Sequence, residues 1–452
     1  MNFFCNILFL SLISLCFIFF TAASPFDEID SSAKDGNYIN SLQLINERRN
    51  NLYKNDLILY NLDAGILSHF AGRYNDSIRL LQNSERAIEE AYTKSIAEEI
   101  ASLLISENVK TYAGEDYEDI YINIINALNY YHLNRHEEAL VEARRIGEKL
   151  KFLENNYDSH LKLLLETSIE FKRNERLINN AIRDAEKLGI VLTLDTENNN
   201  LYTYKINNLA LGRYLSMLFY RANGLMDNAR IDNESIKEQF KQLPDLYKFS
   251  APSSLDDELN IPPGTARLNL LAFTGLSPVK MENSTFVMIT SQDIRIALPE
   301  MKYRPSLISR VEIEFEDGST INMERLEDIE AIARETFKGK IELTKLKANI
   351  RAVIKGGITN TGLLLSSFLP VLGIAVSEIT YLIADASEKA DLRVSRYFPG
   401  KSYVGGVNLK PGTYSFNINY RDSKDQLIES FAYKNVQVKE GALNLIESFS
   451  LK

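Results

Sequence analysis

The stretch Ala127–Glu148, ALNYYHLNRHEEALVEARRIGE, decides how the first half of this chain is read. Its apolar residues recur at three- and four-residue spacing on both sides of Asn134, the period of an α-helix. Asn134 stands where a helix ends on a left-handed residue, with His136 two positions on and the small Ala139 five on. Two other stretches repeat the arrangement. Gly65–Ala87 (GILSHFAGRYNDSIRLLQNSERA) carries Gly72, Tyr74 and Ser77, and Leu215–Phe240 (LSMLFYRANGLMDNARIDNESIKEQF) carries Gly224, Met226 and Ala229. A helix, a Gly or Asn turn and a second helix opening on a small residue make a hairpin whose two helices approach closely. The tetratricopeptide (TPR) repeat is such a hairpin, with a period of about 34 residues. The turns here lie farther apart, so drifted hairpins or insertions are expected between them. The reading is an all-α, TPR-like helical repeat array over residues 36–249.

The rhythm then changes. Phe249–Gly264 (FSAPSSLDDELNIPPG) shifts to Pro, Ser and Asp, which marks 250–264 as a linker. Beyond it, Val311, Ile313 and Phe315 alternate with three glutamates before an Asp317-Gly318 turn, a β-hairpin signal. Tyr414, Phe416, Ile418 and Tyr420 alternate likewise, and Leu268–Phe273, Phe286–Leu298, Ile428–Val438 and Leu443–Leu451 read as strands. Residues 265–452 are therefore expected to form a β-rich antiparallel sheet or sandwich, interrupted by an apolar helical hairpin over 326–390. The fold class is multidomain α+β.

The address comes from the other end. Phe3–Ala23 (FFCNILFLSLISLCFIFFTAA) is uncharged and almost wholly apolar, with Thr21 and Ala23 placed as the small residues before a cut at Ser24. This reads as a secretory signal peptide over 1–23, or an uncleaved anchor, since about 20 apolar residues suffice to span a bilayer. Export to the periplasm or cell envelope follows, with membrane anchoring as the second form. Both cysteines, Cys5 and Cys16, lie inside this segment. A net charge of −10 argues against nucleic acid as a partner. Gly362–Val376 (GLLLSSFLPVLGIAV), extended by ITYLIA, is the other apolar run; Pro370, Gly373 and Glu378 interrupt it. It is expected as a buried helical hairpin, with insertion of 362–383 into lipid as the alternative.

Three patches in order resemble an uncharacterised family of bacterial envelope proteins, the COG3014 type. They are Ser106–Tyr117 leading into Ala127–Arg145; Gly275–Lys280 with Ile296–Pro299; and Glu327–Ala333 with Ala390–Arg393 and Leu409–Tyr414. The resemblance implies an exported protein with TPR-like repeats and no assigned activity. Relatives carry a lipidation motif, which this chain lacks, and a Trp where Ser395 stands here.

No catalytic constellation emerges. The four histidines lie in the helical half; His132 and His136 have the spacing of a helical metal site, but Asn134 breaks the helix between them. No Lys-Ser/Thr follows the glycines at 356 and 357, so they do not make a phosphate loop. No enzyme activity, metal or cofactor is expected. The candidates for partner binding are Tyr112, Glu115, Asp116, Tyr117 and Glu118, an acidic and aromatic rim, with Glu142 and Arg145 lining the neighbouring groove. Helix capping is the competing account of Glu115 and Asp116. Gly72, Ala139 and Gly224 are expected to be structural, as is an Asp391–Arg393 ion pair joining the helical hairpin to the sheet. The chain reads as a scaffold or adaptor for envelope proteins, binding them through a TPR-like groove. A membrane-associated assembly component is the alternative.

Overall fold

The computed structural model describes residues 24–54, 56–101, 111–152, 183, 186–189, 209–289, 292–357 and 388–452. Residues 1–23, expected as a signal peptide or anchor, and the apolar run 362–383, expected as part of a helical hairpin, lie outside the described residues.

Helices fill the first half. Among the described residues, besides the single turn Arg49–Leu52, they are α1 (Asp27–Lys34), α2 (Tyr38–Glu47), α3 (Leu57–Phe70), α4 (Tyr74–Ala101), α5 (Asp116–His132), α6 (136–152), α7 (Ala210–Ala222) and α8 (Met226–Gln242). Among the described residues four hairpins close in the same way. At each turn one residue takes a left-handed backbone: Gly36 (φ 75°), Gly72 (φ 70°), Asn134 (φ 57°) and Gly224 (φ 73°). The next amide then reaches back to satisfy an orphan helix carbonyl: Asn37 to Ser32 (2.9 Å), Arg73 to Ser68 (2.8 Å), Arg135 to Tyr130 (2.8 Å) and Leu225 to Tyr220 (2.9 Å). Ser77, Ala139 and Ala229 are fully buried just beyond their turns, as the spacing predicts. The first helices of three hairpins, α3, α5 and α7, stack with α5 in the middle.

The second half is built from antiparallel sheets, with one parallel pair. A four-stranded sheet has the order β10-β1-β7-β6, from Asn444–Ser450, Ala266–Leu276, Pro399–Leu409 and Glu324–Asp328. A second has the order β5-β4-β8-β9, from Thr320–Asn322, Arg310–Phe315, Gly412–Arg421 and Leu427–Val438. Strands β2 (Val279–Ile289) and β3 (Gln292–Lys302) form a separate two-stranded ribbon, along which α9 (Ile329–Gly357) packs.

Strand β1 shows how the layers stack. Successive side chains point to opposite faces of a sheet. Leu268, Leu270 and Ala272 join Val311, Ile313, Phe416 and Ile418 in the core between the two sheets. Leu271 and Phe273, on the other face, join Leu62, Ile124, Leu128 and Leu215 in a core shared with the helices. The first sheet is thus buried on both sides, giving three layers: helices, sheet, sheet.

Several expectations are corrected. The supposed linker is a packed joint: Ser253–Glu258 is a 3-10 helix with Leu255 and Glu258 buried. The Glu258 carboxylate accepts from Arg221 of α7 (2.6 Å) and from Asn269 of β1 (2.6 Å), tying both halves to the joint. Phe286–Leu298 is not one strand but the facing ends of β2 and β3. Residues 326–328 belong to β6, so the helix begins at Ile329. Strand β7, which contains Pro399, Gly400, Gly405 and Gly406, was not among the strands expected from the sequence. A Cβ on Gly406 would lie 2.6 Å from the guanidinium of Arg267, so the glycine makes room for an arginine crossing the sheet.

Candidate functional site

The richest chemistry lies where the helices meet the second half. Residues 390–398, ADLRVSRYF, run without regular structure across α3 and α5. Val394, Ser395, Tyr397 and Phe398 are buried, and the polar side chains find partners on the helices. The Ser395 amide donates to Glu118 (2.6 Å) and its hydroxyl to Asp63 (2.7 Å). The Arg396 amide donates to the same Asp63 oxygen (2.8 Å), while its guanidinium reaches Asp30 of α1 (2.7 Å). Arg304 also pairs with Asp30 (3.3 Å). Arg393 is held by Asp391 (2.8 Å), meets Asp56 at 3.5 Å and lies over the Tyr112 ring. The Asp391–Arg393 pair therefore exists, and through Asp56 it ties this strap to the helical array; residues 358–387 of the helical hairpin it was expected to hold lie outside the described residues.

The acidic rim faces inward. Glu118 is fully buried and accepts from the Glu115 amide (2.8 Å), the third-position half of a capping box at the start of α5. It also accepts from the Tyr112 hydroxyl (2.6 Å). Glu115 takes Lys280 of β2 (2.5 Å) and Lys340 of α9 (3.1 Å), and Lys340 also holds Asp116 (3.1 Å). Tyr112 and Tyr117 are buried, Tyr117 edge-on to Phe398. These residues bind the chain's own second half. They are not an exposed rim for a partner, because the lysines, the strap and Phe398 occupy the space in front of them.

Glu142 and Arg145 belong to a different cluster. Asn123 bridges the buried Glu142 (2.6 Å) and Glu85 (2.9 Å), and Arg145 and Lys149 pair with Glu85 at 2.9 and 2.6 Å. This network stitches α4, α5 and α6 together, so these two side chains do not line the same surface as the strap.

Electrostatics follow from this closure. Burial, reinforced by Glu115 alongside, pushes Glu118 up to about 7. Burial raises Asp63 to about 6 against the bonds from Ser395 and Arg396. Burial likewise raises Glu327 of β6 to about 7, although the Leu211 amide at the start of α7 donates to it (3.1 Å) and Tyr121 bonds it as well. Burial works against the charge on Glu115 too, but Lys280 and Lys340 outweigh it and hold the carboxyl at about 2.

A further trio escaped sequence reasoning. Glu447 of β10 lies between His69 of α3 (2.8 Å) and His132 of α5 (2.6 Å). The available signal was a lone acid inside the apolar strand NLIESFS, since a buried charge needs a partner. Among the described residues, no group of three or more His, Cys, Asp or Glu is placed to hold a metal ion. Nor is any helix among them long and apolar enough to cross a membrane.

Fold and site together define an α+β protein whose helical face is closed by its own β layer. No protein-family model, curated protein or solved structure matches the chain.

Proposed function

We propose that this chain is a non-enzymatic scaffold or adaptor of the cell envelope, in which a TPR-like array clasps its own β-sandwich. The observation that carries the reading is Ser395, bonded to Glu118 and Asp63 on the helical face where an array of this kind would take a peptide. Envelope proteins would then be met on surfaces other than that face. The secretion-type segment 1–23 and the resemblance to the envelope family support the address. A photocrosslinker at Tyr112 should give only intramolecular products in living cells. Products joining Tyr112 to another protein would return the groove to use as a partner site and sink this reading.

A second reading is favoured by the ribbon. Phe286 and Met288 are 68% and 64% exposed on β2, in a structure where most large apolar side chains are covered. The helix α9 beside the ribbon leads in sequence to the apolar run 362–383. A membrane-associated component would use both against lipid. Flotation of the full chain with anionic vesicles tests this, and failure to float at low salt removes it.

A further inference from the structure

His69 stands between two acceptors. Its Nε2 lies 2.8 Å from the Glu447 carboxylate and its Nδ1 lies 2.7 Å from the Asn129 side-chain oxygen. The nitrogen of that amide donates to the Ser77 hydroxyl (2.8 Å) and to the Asn126 side-chain oxygen (3.4 Å). A neutral imidazole carries one N–H and can satisfy only one acceptor, whereas an imidazolium satisfies both. The other Glu447 oxygen takes His132 Nε2 at 2.6 Å. With His69 doubly protonated, the His69–Glu447 pair holds one positive and one negative charge, both buried.

We propose that His69, Glu447 and His132 form a latch that fastens β10 to the helical array while His69 is doubly protonated and releases it as the pH rises. Position argues for it. Glu447 comes from an edge strand of the first sheet, and His69 and His132 sit at the ends of α3 and α5, just before their turns. Tyr131, next to His132, accepts from the Leu445 amide (2.9 Å) and donates to the Leu443 carbonyl (3.0 Å), so the same helix end also pairs with the β10 backbone. Loss of the latch charge would free a strand, not one side chain.

Other groups facing the trio do not compensate. Tyr74 of α4 stacks on His132 at 4.6 Å, and burial followed by Glu447 raises its phenol to about 12. Tyr433 of β9 donates to the Glu447 carbonyl (2.9 Å) and is also raised, first by burial. Strand β1 places Leu271 opposite Glu447. No second cation among these groups replaces His69 when its proton leaves. Burial opposes the His69 charge, but Glu447 and the Asn129 bond more than offset it and lift its pKa. A group raised on folding stabilises fully below its unfolded value, near 6.5 for histidine, and loses that contribution as the pH climbs through the folded value.

The test uses the full chain and its four histidines. Ring-nitrogen NMR across pH 5.5–8.5, with His69 assigned by H69Q, should show one histidine keeping both ring protons after an ordinary histidine has lost one. A His69 ring that is neutral at pH 6.5 overturns the proposal. Hydrogen exchange of the amides at 445–450, corrected for intrinsic rate, gives the second readout. Their opening constant should rise about tenfold per pH unit between 6.5 and the His69 titration. In E447Q the opening should be faster at pH 6 and flat with pH. A wild-type profile without slope overturns the latch even if E447Q fails to fold.

Discussion

Phe273 tests whether the helices and the sandwich share one core. It lies fully buried on the outer face of β1, in the cluster that contains Leu62, Leu128 and Leu215. Phe273→Ala removes a ring from between two layers that cannot readily collapse onto the gap. Such truncations cost about 3–5 kcal/mol, a large part of the about 5–15 kcal/mol that holds a typical domain together. Urea unfolding would be followed by circular dichroism, which reports the helices, and by fluorescence. With 23 tyrosines and no tryptophan, the fluorescence comes from both halves. Both signals should move to lower urea together. The exposed Met281→Ala should shift neither by more than about 0.5 kcal/mol. A helical transition left in place while fluorescence alone moves would mean that the layers fold independently and that the shared core contributes nothing.

Other outcomes follow from single positions. Gly212→Val puts a Cβ 2.9 Å from Ile146, so α7 must move off its neighbour; a loss of about 1–3 kcal/mol is expected in thermal melts, and no loss would remove the close-approach argument. Asn134 holds φ 57°, so Asn134→Val should cost about 1–3 kcal/mol while Asn134→Gly stays near neutral; equal effects would show that the backbone angle is not the cause. Thermal stability should peak at about pH 4.5 and decline from there to about pH 7. Glu118, Asp63 and Glu327, raised on folding, stabilise most below the ordinary carboxylate range and lose that contribution as the pH passes about 6 to 7. Glu115 and Glu447, both held at about 2, contribute above that range and lose it as the pH falls toward 2. A midpoint still rising at pH 8 would refute the burial of these carboxylates.

Local geometry was legible in the residues. Gly72, Asn134 and Gly224 announce their turns because a left-handed backbone restricts what can stand there, and the alternation of β4 and β8 marks strands buried on one face. What one residue does for a distant one was not legible. Strand β7 hides behind Gly405 and Gly406, the first set against Met323 and Leu270 and the second making room for Arg267 in the neighbouring strand. Glu447 and His69 are 378 positions apart, and neither's surroundings name the other. Tyr112, Glu115 and Glu118 looked like a binding rim because a polar cluster that meets a partner and one that meets its own chain have the same composition. Only the strap at 390–398 tells them apart.

The parallel pairing of β1 with β10 has a consequence for how such a chain is made. Strand β1 must wait for a neighbour encoded 176 residues later, from Leu268 to Asn444, and the helical face waits with it. Contacts so far apart close slowly. While synthesis proceeds, the apolar stripe on α3, α5 and α7 stays uncovered and open to wrong associations. A cell producing this protein must shield that stripe until residues 444–450 arrive. Premature release of the growing chain would leave a sticky helical fragment rather than a smaller working protein.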